Sequence, residues 1–248
     1  MTEIDQAKQA VRERVWRRLI DGGGAASDSY GKIPGFHGAD ATAERLAALD
    51  EWQHATTVKA NPDWAQLPVR IRALKDGKLL YMAVPRMASL EPFFELDPKK
   101  LAVSAEEAAE KKGAAQAGRR LGVESMRPID LVVCGSVAVN RSGARIGKGA
   151  GYSDLEVALL IEASLVTDQT VIVAPVHPLQ LVEDDIPETE HDFSVDYIVT
   201  PDEVIRCANP RRPRGLVWGD LTADKIAAIP VLAAQHEGRR REETPHRP

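Results

Sequence analysis

Between Arg141 and Asp154 the chain reads RSGARIGKGAGYSD, and no other stretch gathers so much chemistry. Gly143, Gly147, Gly149 and Gly151 remove side chains, so backbone N–H groups can approach an anion closely. Arg145 and Lys148 add full positive charge. The stretch follows an apolar run and leads into a helical one, so a helix N-terminus adds its partial positive charge at the same place. Together these features predict a phosphate cradle, though not a standard one. A Walker loop needs Ser or Thr after its lysine, and Lys148 is followed by Gly149. A dinucleotide fingerprint needs G-x-G-x-x-G, and Gly147, Gly149 and Gly151 give G-x-G-x-G. Asp154 fits two roles: a ligand for magnesium held against bound phosphate, or a charge complementing the helix start.

Other residues are less telling by themselves. Lys8 and Arg12 are four apart on a predicted helix, so one face presents both cations, as an ordinary solvated face also would. His177 and His191, with Asp184 and Asp185 nearby, match no zinc spacing. Gly135-Ser136-Val137 lacks the G-x-S-x-G of a nucleophile elbow, which argues against serine hydrolase chemistry. Cys134 lies inside an apolar run and reads as a small core residue.

The 248 residues are 44% hydrophobic and 28% charged, an ordinary soluble composition with room for a substantial core. A net charge of −5 argues against a dedicated nucleic-acid binder, which needs a basic field. Two cysteines make neither a disulfide framework nor a four-ligand metal site. No apolar run reaches the roughly 18 residues of a membrane span, and Met1 to Arg18 has no apolar signal region. A cytoplasmic protein acting on a small molecule, with neither nucleic acid nor membrane as partner, is the expectation. The sequence does not set an oligomeric state.

Ile4, Ala7, Val11, Val15 and Leu19 recur at helical spacing after Thr2, and Gly22-Gly23-Gly24 ends that helix. Short helices are expected over Ala41–Leu49, from Asp63 to Lys75, and over Ala105–Leu121 with an interruption at Gly113. Strands are expected at Thr56–Lys59, Lys78–Val84, Ile129–Val139, Thr170–Val176 and Tyr197–Thr200. A helix should follow Gly151. Alternation of this kind predicts an α/β fold with a largely parallel sheet. Residues 1–235 read as one domain, and the tail 236–248, which lacks apolar anchors, as disordered.

Four segments in register resemble the 5-formyltetrahydrofolate cyclo-ligase family, also called methenyltetrahydrofolate synthetases. A K-x-x-[LIV]-R box stands at Lys8–Arg12. The signature R-[LI]-G-x-G-x-G-Y-Y-D stands at Arg145–Asp154. A glutamine ahead of an acidic stretch is Gln180. H-D-x-x-V-D-x-[IV]-[IV]-T stands at His191–Thr200. The resemblance runs from Lys8 to about Thr200. It implies a three-layer α/β/α fold with a mostly parallel sheet, NagB/RpiA-like. It also implies an ATP- and magnesium-dependent cyclisation of 5-formyltetrahydrofolate to 5,10-methenyltetrahydrofolate.

By that resemblance Lys8, Arg12, Arg145, Gly147, Lys148, Gly149, Gly151 and Tyr152 would bind ATP, with Arg145 catalytic. Asp154 and Asp196 would ligate magnesium, and Tyr152 would also face the folate. Two departures alter the folate side. Ser153 replaces the second tyrosine, and Val58–Asp63 lacks the family's pocket glutamate, with Asp63 the shorter substitute. These features are closest to the methenyltetrahydrofolate-synthetase-domain-containing branch. Some animal members of it carry an RNA-recognition domain, of which no RNP-type motif is found after Thr200. The branch's expectations include a non-catalytic nucleotide- or folate-binding role and a link to thiamine metabolism.

Overall fold

The computed structural model describes residues 2–243. In chain order its α-helices are α1 (Glu3–Asp21), α2 (Ala39–Ala47), α3 (Asp50–His54), α4 (Leu67–Lys75), α5 (Ala105–Ala109), α6 (Lys111–Ala117), α7 (Tyr152–Glu162), α8 (Ala223–Ala228) and α9 (Pro230–Glu243). The strands are β1 (Thr57–Ala60), β2 (Leu79–Ala83), β3 (Phe93–Leu96), β4 (Arg119–Leu121), β5 (Leu131–Val133), β6 (Ala138–Asn140), β7 (Arg145–Ile146), β8 (Val171–Pro175), β9 (Leu181–Val182), β10 (Tyr197–Val199) and β11 (Val204–Arg206).

Eight strands form one sheet in the order β11-β10-β8-β5-β1-β2-β3-β4. The central five, β10 to β2, run parallel, while β3, β4 and β11 are antiparallel at the edges. Alternate residues of each strand enter separate cores, as the pleat requires. Val58, Leu80, Val133 and Val173 pack against α2, α4, α5 and α6. Tyr81, Val132, Ile172 and Ile198 pack against α7 and α9. This is the expected three-layer α/β/α arrangement. From β1 the chain lays down β2, β3 and β4 outward on one side, then returns to the other side of β1 to lay down β5, so the strand order reverses between β1 and β5. The crevice at the carboxyl ends of such a reversal is where open α/β sheets receive ligands. A second sheet, β7-β6-β9, forms a third core with Val15 and Trp16 of α1.

Thr2 starts α1 through a capping box: its hydroxyl accepts from the Asp5 N–H at 3.1 Å, and Asp5 Oδ2 accepts from the Thr2 N–H at 2.9 Å. The apolar run Ile129–Val139 is not one strand. It divides at Gly135-Ser136 into β5 and β6, which belong to different sheets. A Cβ on Gly135 would lie 2.6 Å from Asp63 Oδ2, so a side chain here would crowd the Asp63 carboxylate. The expected Ala105–Leu121 helix breaks at Glu110, in extended conformation, rather than at Gly113, and its end becomes β4. Residues 236–243, expected to be disordered, form the second half of α9. There Trp218 stacks on His236 at 5.7 Å and on the Arg239 guanidinium at 5.3 Å. Glu and Arg are good helix formers once such an anchor exists. The rest of the expected tail, 244–248, lies outside the described residues.

Candidate active site

Two carboxyl strand ends and the glycine-rich turn enclose a cleft of about 690 Å³. β1 ends in Asn61-Pro62-Asp63, β2 in Val84-Pro85-Arg86, and α1 supplies Lys8 and Arg12. The turn Gly147–Gly151 lies between β7 and α7. Gly149 and Gly151 are left-handed (φ 99° and 69°), which favours glycine. At Gly147 the close approach matters instead, because an added Cβ would sit 2.9 Å from Arg145 Nη2. Arg12 fixes the turn: its Nε donates to the Gly147 carbonyl at 2.7 Å. Burial pushes the Arg12 guanidinium below the ordinary arginine range.

Arg145 is almost fully buried. Its Nη1 donates to Asp154 Oδ1 at 2.7 Å, and its guanidinium lies 4.4 Å from the Phe193 ring centroid. Burial opposes its charge, but Asp154 outweighs that and holds its pKa above the usual value. Its Nε and Nη2 are buried and make no hydrogen bond. Orphaned buried donors are rare and costly unless a partner arrives.

Lys8 Nζ donates to Asp192 Oδ2 at 2.5 Å, and the Thr189 N–H and hydroxyl reach the same oxygen at 2.6 and 2.7 Å. Burial works to raise the Asp192 pKa, but these bonds keep it below the ordinary carboxylate value. The opposite wall holds a buried ionic group. Lys59 Nζ donates to Glu156 Oε2 at 2.6 Å, and Asn61 Nδ2 to the same oxygen at 2.7 Å. Asp63 beside them has its pKa raised by burial, with Lys148 pulling the other way. Arg70 holds this strand end, its Nη1 donating to the carbonyls of Asn61 (2.6 Å) and Asp63 (2.9 Å). Burial lowers the Arg70 pKa to about 10.

Lys8, Arg12, Asp63, Arg145, Gly147, Lys148, Gly149, Gly151, Tyr152 and Asp154 therefore share one cleft, together with Ser153. Asp196, expected as a magnesium ligand, does not line it. Its Oδ2 accepts from the Ile172 N–H at 2.6 Å and from Arg212 Nη2 at 2.5 Å, tying β10 to β8. The carboxylate that the same motif does deliver is Asp192. The strand starts directly after Asp196, so its side chain is taken up by the neighbouring strand, while Asp192 lies on the loop that reaches α1. Sequence reasoning also missed the pairing of Lys59 with Glu156. A lysine inside the buried strand TVKA is itself a signal that a carboxylate partner must exist.

Fold and site define an α/β/α protein whose strand-order reversal opens onto a glycine turn walled by buried cations. The sequence profile of the 5-formyltetrahydrofolate cyclo-ligase family matches residues 4–201, and the chain belongs to that family. The methenyltetrahydrofolate synthase domain-containing protein of Mus musculus is 37% identical over 240 residues, covering 93% of this chain and 63% of the relative. The human protein of the same description is 34% identical, covering 92% and 61%. The chain thus spans under two thirds of the length of these relatives. Among solved structures, the 5,10-methenyltetrahydrofolate synthetase of Aquifex aeolicus superposes with a TM-score of 0.52 at 20% identity, covering 83% of this chain and 95% of that one. No helix among the described residues is long and apolar enough to cross a membrane.

Proposed function

We propose that the protein uses ATP and magnesium to cyclise 5-formyltetrahydrofolate to 5,10-methenyltetrahydrofolate, or drives the same carbonyl activation on a related formyl or amide compound. Family membership supports the reaction class. The observation that carries the reading is the pair of buried, unpartnered donors on Arg145 beside the glycine turn. The positive charge of this guanidinium, with Lys8, Arg12 and Lys148 on the same cleft, favours a polyanion seated on the bare turn.

In this reaction the formyl oxygen takes the terminal phosphoryl group, ADP leaves, the second folate nitrogen attacks the activated carbon, and phosphate departs. The chain's residues position and neutralise rather than form covalent bonds. Arg145, Lys148 and Lys8 would offset the charge of the phosphates, Arg12 would hold the turn, and Tyr152 would lie between nucleotide and folate. Asp154 and Asp192 would hold magnesium, which neutralises phosphate charge when bound. Arg145 and Lys8 each engage one oxygen of these carboxylates.

Purified protein given ATP, magnesium and 5-formyltetrahydrofolate should generate the methenyl chromophore and ADP in equal amounts. ADP release only with another formyl or amide compound would place the chemistry on a different substrate. A non-catalytic binding role is the second reading, favoured by Ser153 and by the Lys59–Glu156–Asn61 group on the folate wall. Saturable ATP binding without turnover would establish it.

A further inference from the structure

We infer that the segment Leu216–Lys225 adds a ring subsite to the cleft, an apolar pocket that takes the base of the bound nucleotide. The inference deepens the nucleotide reading above and rests on it. A hollow of about 240 Å³ lies between α7 and this segment, walled by Leu155, Ala158, Leu216, Val217 and Leu221. Whole ligands occupy roughly 300–1,000 Å³, so this volume suits one ring system rather than a complete ligand. The hollow meets the phosphate cradle at Gly151, Asp154 and His191, which line both. It shares no residue with the wall formed by Asn61–Asp63 and Ala83–Arg86. A molecule filling both spaces therefore carries a polyanion at one end and a planar, largely apolar ring at the other. A nucleoside triphosphate has that form, and Asp220 and Thr222 at the pocket offer polar groups to the base or sugar.

The segment is fastened to the cradle rather than resting loosely near it. Lys225 Nζ donates to the Ala150 carbonyl at 2.7 Å and lies 4.0 Å from the Tyr152 ring centroid. The Leu216 N–H donates to Glu162 Oε1 at 3.0 Å, and Asp220 pairs with His191 at 3.5 Å. All of Leu216–Lys225 lies beyond residue 201, where the family match ends, so this wall is an addition to the matched region.

Calorimetric titration of the full chain with ATP and with methyl triphosphate, each with magnesium, tests the subsite. Methyl triphosphate matches the charge of ATP and lacks the base. Wild type should bind ATP about tenfold tighter or better, and Leu221→Trp or Val217→Trp, each filling the pocket, should remove that excess while methyl triphosphate binding is unchanged. Equal affinities for the two ligands in wild type would overturn the inference, whether or not the variants fold. So would variants that retain the full preference for ATP, or that lose both ligands together while melting at the wild-type temperature. If wild type binds neither ligand, the nucleotide reading itself fails, a result distinct from equal binding of both.

Discussion

With Nη1 committed to Asp154 and the rest of its guanidinium buried without partners, Arg145 can be tested by removal. Arg145→Ala should lower cyclo-ligase turnover by roughly 10²–10³-fold, the loss typical of a preorganised charge-stabilising donor. Steady-state rates at saturating ATP would reveal it. The two aspartates of the late motif should separate cleanly. Asp192→Asn should raise the magnesium concentration needed for half-maximal rate, whereas Asp196→Asn should leave it unchanged. The latter should instead cost about 1–3 kcal/mol of stability, because Ile172 and Arg212 lose a charged acceptor. Asp192 also predicts a pH effect. Its folded-state pKa lies below the ordinary 3.8, so the stability it contributes is present above that value and lost as pH falls through the lower folded value. Asp192→Asn should flatten stability between about pH 5 and pH 2, read from denaturation midpoints.

At the scale of elements, α7 joins the layers of the site. Its N-terminus carries the glycine turn and Asp154, its middle is buried from Leu155 to Leu160, and Glu156 reaches Lys59 of β1. A buried pair broken on one side leaves an uncompensated charge, so Lys59→Met should destabilise the protein by about 3–5 kcal/mol. Adding Glu156→Gln should recover part of the loss in chemical denaturation, because no full charge is then stranded. The turn after β2 adds a local strain, with Arg86 and Met87 both left-handed (φ 60° and 52°) although neither is glycine. Such conformations cost on the order of 1–3 kcal/mol each and persist where surrounding packing fixes them. Here they place Arg86 at the cleft rim.

Over the whole molecule, the C-terminal helix α9 is part of the core. Leu232 of α9 is fully buried in the core that contains α7, so Leu232→Ala should cost about 2–5 kcal/mol, as for a central position, measured by urea unfolding. The continuation of α9 beyond Gln235 was not legible in the sequence. The stretch HEGRRREE has no apolar period, and its His236 and Arg239 pack on Trp218, brought up from outside it. The glycine turn, the capped first helix and the parallel strands were legible, because backbone conformation, capping and strand burial are governed by residues close in the chain. Local chemistry therefore determined the cradle, the first helix and the central parallel strands. Only tertiary structure decided which carboxylate of the late motif enters the cleft, that Lys59 meets Glu156, and that Leu216–Lys225 closes one side. Each of those pairings joins residues far apart in sequence. The strand-order reversal brings them together, and no local spacing encodes it.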